Sequence, residues 1–183
     1  MQTAKKGFTL VELLIVIGIL GVLATAVVLV LNPAELLRQA RDSTRLQDLA
    51  TIHSALSIYV SSVSSPTLGE TAYNTSSGSA TCDSTASVAS RQVYTVAGSG
   101  WVAVDFTTIP GGSPLSALPR DPVNDTTYFY CYDANNTAKT WELVTQLESS
   151  KFANGGADDR ESTDGGDNSD WYEVGTDPDL DLL

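Results

Sequence analysis

The feature that most constrains this chain is a long apolar segment near its N-terminus. The 24 residues from Phe8 to Leu31 contain a single charged side chain, Glu12. A helix of this length would reach roughly 36 Å, whereas the hydrocarbon core of a bilayer is about 30 Å thick. Because a helix in a soluble core is rarely apolar on every face, the segment predicts a membrane-spanning helix. It is also longer than the roughly 7–15 apolar residues of a secretory signal, which favours a retained anchor.

Glu12 is the one side chain of this segment that needs a polar partner. An unpaired carboxylate one turn into an apolar helix costs on the order of several kcal/mol in lost hydration. The residues alone leave two interpretations open. Either the side chain reaches the lipid headgroups, or a cation pairs with it.

Residues 5–16, which read KKGFTLVELLIV, resemble the N-terminus of type IV pilins and of type II secretion pseudopilins. The resemblance implies that a prepilin peptidase cuts after Gly7 and N-methylates Phe8, so that residues 1–7 are a leader peptide. The leader holds two lysines, so the mature subunit would be more acidic than the −12 of the full chain. In a filament, the amine of a neighbouring subunit's Phe8 would pair with Glu12 and set the register between subunits.

The resemblance also implies partners and a location. The expected partners are copies of the chain itself and related pilins, the prepilin peptidase and methyltransferase, an inner-membrane assembly platform, and membrane lipid. The chain would cross the inner (cytoplasmic) membrane once, with its C-terminal head outside the cytoplasm, and would assemble into a periplasmic or extracellular filament. Basic residues on both sides of the apolar segment leave its orientation undecided, so the topology depends on the resemblance.

We expect a structural subunit of a pilus-like filament, and two alternatives stay open. The first is a pseudopilin of a type II secretion system, and the second is a single-span membrane-anchored surface binding protein. The last would keep its leader. The net charge of −12 argues against direct binding of nucleic acid, because that affinity comes from Lys and Arg against phosphates.

After the assembly helix of residues 8–31, residues 32–63 predict an amphipathic continuation of the same helix. Apolar residues recur there at steps of three and four, which predicts one face packed on a head domain. Asn32-Pro33 marks either a kink or a new helix start. Arg38, Asp42 and Arg45 are spaced to form a solvated charged face.

The rest of the chain predicts an α+β fold of the pilin type, in which the long N-terminal helix packs on a small four-stranded antiparallel sheet. Half of residues 61–90 are Ser or Thr, so residues 64–90 predict a long exposed loop. The sheet would occupy residues 91–151 as two hairpins. The first joins 91–97 to 101–106 and the second joins 127–132 to 139–147.

Two cysteines, Cys82 and Cys131, permit one disulfide in an exported head, with a pair of unpaired thiols as the alternative. Leu118 to Pro122, which read LPRDP, resemble the L-P-x-D-P stretch of major pseudopilins. The sequence departs from that pattern at Val123-Asn124, where those proteins tend to have Trp-Gly.

Residues 152–183 hold ten acids and one base, which predicts a solvated acidic segment. Because major pseudopilins bind calcium in a C-terminal loop, the resemblance also raises Asp164, Asp167 and Asp170 as candidate Ca²⁺ ligands. The spacing is not that of an EF-hand.

No phosphate-binding loop, nucleophile elbow or zinc spacing is present in the sequence. The sole histidine, His53, lies on the apolar stripe of the second helical segment and predicts a packed side chain rather than a base. We therefore expect no enzymatic activity and no cofactor other than the candidate calcium ion.

Overall fold

The computed structural model describes residues 7–69, 71–78, 80–82 and 87–183. The fold is α+β, with a long helical N-terminal region and a curled mixed sheet. The chain forms two compact units, of which one ends at Leu37 and the other runs from Arg38 to Leu183. The predicted leader, apart from Gly7, lies outside the described residues.

The helical region is two helices rather than one. Helix α1 spans Leu10–Leu31 and helix α2 spans Pro33–Ser62. Between them Asn32 has a φ of 40°, in the left-handed region, which ends α1. Its carbonyl then accepts hydrogen bonds from the N–H groups of Glu35 and Leu36. Of the two interpretations of Asn32-Pro33, the structure has the new helix start, with proline at the first helical position.

One face of α2 is built into the core of the head, as its periodicity predicts. Leu49, Ile52 and Leu56 are fully buried, and they pack with Trp101 and Leu143 in the main apolar cluster. Burial of each such side chain contributes about 1.5–3 kcal/mol. The helix is therefore an integral part of the head over this stretch.

In the part of the chain that the structure describes, the head sheet has six strands rather than the four that we predict from the sequence. They are β1 (Tyr73–Asn74), β2 (Ala80–Thr81), β3 (Ser87–Ser90), β4 (Tyr130–Asn135), β5 (Thr140–Thr145) and β6 (Tyr172–Gly175). Their order is β2-β3-β1-β4-β5-β6. Strands β1 and β3 run parallel and the other neighbouring pairs run antiparallel, so the sheet is mixed.

The second predicted hairpin exists, with its turn placed later. Strands β4 and β5 pair from Tyr130↔Thr145 to Asn135↔Thr140. The turn is formed by residues 136–139, whereas the sequence predicts that the first strand ends at residue 132, and Lys139 has a positive φ of 63° in this turn. Residues 133–135 belong to β4 because they pair with residues 140–142 of β5.

The first predicted hairpin, of residues 91–97 and 101–106, is wrong. In the described chain this segment has an isolated bridge between Ala97 and Asp105, followed by a short 3-10 helix at Phe106–Thr108. The apolar residues that suggested strands do pack into the core, but without a ladder of backbone hydrogen bonds.

Close approach of the backbone to itself explains the difference. The Trp101 N–H donates to the Val93 carbonyl at 2.9 Å, so the chain folds back as a compact loop. Gly100 lies so near Thr95 that an added Cβ would be 2.3 Å from its carbonyl oxygen. Trp101 is fully buried and donates through its indole N–H to the Pro119 carbonyl at 3.1 Å. Turns therefore provide backbone hydrogen bonds in this segment, and its apolar side chains are buried without a strand ladder.

The interpretation of residues 64–90 as an exposed loop is also wrong for the part that the structure describes. It holds β1, β2 and β3, and Asn74 and Ser76 are fully buried. The Asn74 amide donates to the Val88 carbonyl at 2.8 Å, and its oxygen accepts from the Ser76 hydroxyl at 2.7 Å. Polar side chains enter this core because they bond to one another and to the backbone. Residues 70, 79 and 83–86 of the predicted loop lie outside the described residues.

The acidic segment 152–183 is folded rather than solvated. It supplies β6, which pairs with β5, and it buries Trp171, Leu183 and the carboxylates of Glu161 and Glu173. Glu161 accepts hydrogen bonds from the backbone N–H groups of Leu147 and Asn154, both at 2.8 Å. Such bonds stabilise a buried carboxylate and let it tie together two loops, which composition alone does not predict.

Candidate processing and assembly site

The predicted processing site lies just before α1. Gly7, Phe8 and Thr9 are not helical, Phe8 is 92% exposed, and no heavy atom lies within 4 Å of the position that a Gly7 side chain would take. Thr9 has extended backbone angles, with φ −82° and ψ 153°. The Gly7–Phe8 bond is therefore accessible to an enzyme, as the predicted cleavage requires. Cleavage itself and methylation of Phe8 stay predictions.

Glu12 is held by the start of its own helix. The Thr9 N–H and the Thr9 hydroxyl donate to the same carboxylate oxygen of Glu12, at 2.8 and 2.9 Å. In return, the Glu12 N–H donates to the Thr9 hydroxyl at 3.2 Å. This reciprocal arrangement is a capping box. All of its atoms belong to residues 9 and 12, so a cut after Gly7 would leave it intact.

Thr9 is a site residue that the sequence interpretation above misses. The signal was present, because Thr9-x-x-Glu12 before an apolar run is the pattern of a capping box. The resemblance predicts a partner on another subunit. The structure shows that a local partner exists as well, so the carboxylate has no need of a cation within the isolated subunit.

The surface of α1 is apolar and open on all sides. Every large apolar side chain of the helix that the structure describes is more than half exposed, and Val16, the least exposed, has 51% of its surface accessible. The stretch Leu10–Val28 is long and apolar enough to cross a membrane. A surface of this kind requires lipid or other helices against it in the native setting.

Residues 2–28 match the family model of the prokaryotic N-terminal methylation motif. The chain carries the type IV pilin and pseudopilin signature. The match confirms the resemblance of residues 5–16, and it extends over most of α1, to residue 28. No curated protein and no solved structure matches the chain. The pilin signature therefore identifies the N-terminal segment, and the head must be interpreted from its own structure.

The other predicted site residues lie in the head. Cys82 and Cys131 form a disulfide across 49 residues of sequence, which joins the residue after β2 to the second residue of β4. His53 is half-buried, and its ring centroid lies 5.6 Å from that of Trp141. Burial lowers the pKa of His53, which favours the neutral ring of a packed side chain.

The three candidate calcium ligands are not grouped as a metal site. Within the described residues, no set of three or more Asp, Glu, His or Cys side chains is placed to hold a metal ion. Asp164 instead accepts hydrogen bonds from the N–H groups of Gly166 and Glu173, at 3.0 and 2.7 Å. Asp170 accepts from the Asn154 amide at 3.2 Å. Two of these acids thus organise loops.

A buried ionic cluster in the head corrects the prediction of a solvated charged face on α2. Asp42 and Arg45 are fully buried, whereas Arg38 is exposed as predicted. Arg45 donates to both oxygens of Asp121, at 2.6 and 3.0 Å, and to Asp42 at 2.8 Å. It also lies 2.7 Å from the carboxylate of Glu148.

The cluster gives the L-P-x-D-P stretch a structural role. Asp121 is the acid of that stretch, and besides binding Arg45 it accepts from the backbone N–H groups of Val123 and Asn124, at 2.7 and 2.9 Å. Burial opposes ionisation of Glu148, but hydrogen bonds from Arg41 and Arg45 outweigh it and lower its pKa. The ionised cluster fastens α2 to two distant loops.

Proposed function

We propose that this chain is a structural subunit of a type IV pilus-like filament. It is exported, cleaved after Gly7 by a prepilin peptidase, N-methylated on Phe8, and polymerised through α1. The observation that carries the proposal is the match of residues 2–28 to the methylation motif, at the head of a helix whose apolar surface is open on every side. Such a helix is held by lipid before assembly and by neighbouring helices in the filament.

Glu12 is the proposed register residue of that assembly. In the subunit its charge is satisfied by Thr9, so the helix can wait in the membrane without an unpaired carboxylate. In the filament the amine of a neighbouring Phe8 supplies a positive charge next to it. Alignment of subunits is favoured where amine and carboxylate meet, because a charge pair in a low-dielectric medium is strongly distance-dependent.

The proposed role is structural, so it requires neither catalysis nor a cofactor. Its partners are copies of this chain and related pilins, the prepilin peptidase and methyltransferase, and an inner-membrane assembly platform. The head lies outside the cytoplasm, in a periplasmic or extracellular filament. The disulfide supports this placement, since disulfides persist in oxidising compartments.

The deciding experiment is mass spectrometry of the mature N-terminus. Purified from membranes of a host that has a prepilin peptidase, the chain should begin at Phe8 and carry one methyl group on that amine. Gly7→Trp should retain the leader, since the bulky residue obstructs the cut. The matched control is Gly18→Ala, a glycine within α1 with open space around it, which should be processed normally. An intact Met1 on the wild-type chain would overturn the proposal in favour of a plain surface anchor.

A pseudopilin of a type II secretion system is the second candidate. It is favoured by Asp121, since the L-P-x-D-P stretch that resembles major pseudopilins forms part of the buried ionic cluster. Deletion of the gene separates the two. Loss of surface filaments with normal protein secretion supports the pilus, whereas retention of secreted enzymes in the periplasm supports the pseudopilin.

A further inference from the structure

The head contains a cavity of about 400 Å³ that the proposed function does not use. It lies at the end of the sheet where β4 begins and β5 ends. Tyr130↔Thr145 is the terminal pair of that hairpin, so Phe129 and Gln146 come next on either side. Strand β6 pairs Tyr172 with Thr145, which brings Trp171 to the same end. Three strands therefore position the cavity, and its place in the fold is well defined.

The base of the cavity is aromatic. Phe129 and Trp171 are buried, with 2% and 7% of their surface exposed, and their rings meet edge to face with centroids 5.8 Å apart. This arrangement is a favoured geometry for an aromatic pair, so the two rings form a rigid base of which a small part reaches the cavity. Both belong to the second apolar cluster of the head, which also contains the disulfide.

Among the residues that the structure describes, the walls of the cavity are polar and carry no charge. They are formed by the hydroxyl groups of Thr81, Thr126 and Thr127 and by the amide of Gln146. The absence of charge among the lining residues contrasts with a chain that has 22 acids. Hydroxyls and an amide both donate and accept hydrogen bonds, so they match a ligand that does the same.

These wall groups are available to a ligand. In the part of the chain that the structure describes, the side chains of Thr126, Thr127 and Gln146 make no hydrogen bond to other protein groups. Hydroxyls on the exposed face of α2 behave differently. Those of Thr51 and Ser54 donate to backbone carbonyls four residues earlier, at 2.7 and 2.8 Å. Within the described residues, the polar side chains of Thr126, Thr127 and Gln146 are therefore free to bond to a ligand.

We propose that this cavity binds a neutral saccharide unit. A sugar presents C–H groups, which contact the small exposed part of the aromatic base, and hydroxyl groups, which bond to the threonine and glutamine walls. The volume lies in the range of ligand pockets, about 300–1,000 Å³. A charged ligand would find no opposite charge among the lining residues, and a fully apolar one would leave the polar walls unsatisfied.

The bound saccharide unit has two possible sources, a free sugar and the terminal unit of a polysaccharide, which present the same hydroxyl and C–H groups. The inference goes beyond the filament role and does not depend on it. Its failure would leave the processing of Gly7–Phe8 untouched, and an unprocessed chain would still test the cavity.

The full chain is tested in micelles of a phosphocholine detergent, because glycoside detergents would compete. The probes are the methyl glycosides of glucose, galactose, mannose and N-acetylglucosamine, together with cellotetraose and chitotetraose. Binding is followed by calorimetry and by tryptophan fluorescence, to which Trp171 contributes. We expect saturable binding of at least one probe. Equal affinity for a glycoside and its oligomer indicates a single bound unit, and tighter binding of the oligomer indicates a polysaccharide. Failure of all six probes to bind overturns the proposal.

Variants locate the binding. Gln146→Leu and Thr126→Val remove one polar group each from the wall, and each should weaken binding by about two- to tenfold. Gln47→Leu and Thr137→Val change exposed residues of the same types away from the cavity and should bind normally. Unchanged affinity in Gln146→Leu and Thr126→Val would place the ligand elsewhere and overturn the proposal. Equal affinity for glucuronate would contradict a preference for neutral sugars.

Discussion

The two helices of this chain place a charged side chain in an apolar setting by different means. In α1, Glu12 is satisfied by Thr9, three residues away, at the start of the same helix. In α2, Arg45 is fully buried and bound by carboxylates, two of which come from loops 76 and about 100 residues along the chain. One solution is local and survives in an isolated helix, and the other exists only in the folded head.

The difference separates the two tasks of the molecule. A charge satisfied locally leaves the apolar surface of α1 free to meet lipid or other helices. A charge satisfied by tertiary contacts fixes α2 to the loops around Asp121 and Glu148. Changes in α1 should therefore alter assembly and spare the head, whereas changes in the cluster should unfold the head.

Arg45→Met should have the largest effect. Methionine fills most of the space, but Asp42, Asp121 and Glu148 would remain buried without their cation. Breaking a buried ion pair by removing one partner costs about 3–5 kcal/mol. Urea unfolding of the full chain, followed by near-UV circular dichroism, measures the loss.

Arg38→Met is the matched control for that variant. Arg38 lies on the same helix and is exposed, so its replacement should cost less than about 1 kcal/mol. If the two substitutions cost the same, the cluster is not the tertiary anchor described above.

Loss of the disulfide should have the next largest effect. Replacing both Cys82 and Cys131 with alanine removes a crosslink over 49 residues. Chain-entropy arguments and measured cases give about 2–4 kcal/mol for such a loop. The melting temperature of the head should fall, and reduction of the wild-type chain should lower it by a similar amount. The helical signal of α1 should be unaffected, since the crosslink lies within the head.

The same contrast between local and tertiary contacts explains what the sequence could predict. The extent of α1 and α2 followed from apolar content and periodicity, and β4–β5 from two apolar runs around a turn. Each depends on neighbours within a few residues. Even the Thr9–Glu12 cap was readable, because its pattern spans four residues.

Long-range polar contacts were not readable in this way. Arg45 and Asp42 have the spacing of a solvated ion pair on a helix. The residues around them in the sequence do not indicate that Asp121 and Glu148, from distant loops, pack over them. Strand β1 has two residues, and it is held by the Asn74 amide bonding to the Val88 carbonyl. A segment rich in Ser and Thr can be buried when its polar side chains form hydrogen bonds within the protein, so its composition alone does not predict exposure.

Glu161 offers a test by pH, because it is buried and no cation in the described part of the chain pairs with it. Burial raises its pKa to about 7, against the two backbone hydrogen bonds that favour its charge. The folded head then binds more protons than the unfolded chain between the ordinary glutamate pKa and about 7. The free energy of unfolding should therefore rise as the pH falls from 8 to 5. The contribution of Glu161 to that free energy is lost as the pH rises through 7. We expect about 1–2 kcal/mol after allowance for solvent screening.

The variant Glu161→Gln isolates this titration. Its stability should change less between pH 8 and pH 5 than that of the wild type, whereas Asp167→Asn, at an exposed acid, should keep the wild-type slope. The difference between variants also removes the contribution of His53, whose lowered pKa acts in the opposite direction. A wild-type slope in Glu161→Gln would mean that this carboxylate stays ionised throughout.

Glu12 should affect the fold least and assembly most. Glu12→Ala removes the carboxylate half of the capping box and keeps the Thr9 hydroxyl as acceptor of the residue-12 N–H. The loss of local helix stability should be roughly 1 kcal/mol or less, and the head should unfold at its usual urea concentration. Glu12→Gln keeps an oxygen that accepts from Thr9 and removes the charge, so it separates the two roles of the residue. If the carboxylate pairs with the Phe8 amine of a neighbouring subunit, both variants lose filaments although Gln keeps the helix start. Electron microscopy of filaments, with processing checked by mass, measures this. Normal filaments from Glu12→Gln would show that the charge of Glu12 is not needed for assembly and that its role is the local contact with Thr9. The two helices would then differ in how they satisfy a charged side chain during folding, and not in a role in assembly.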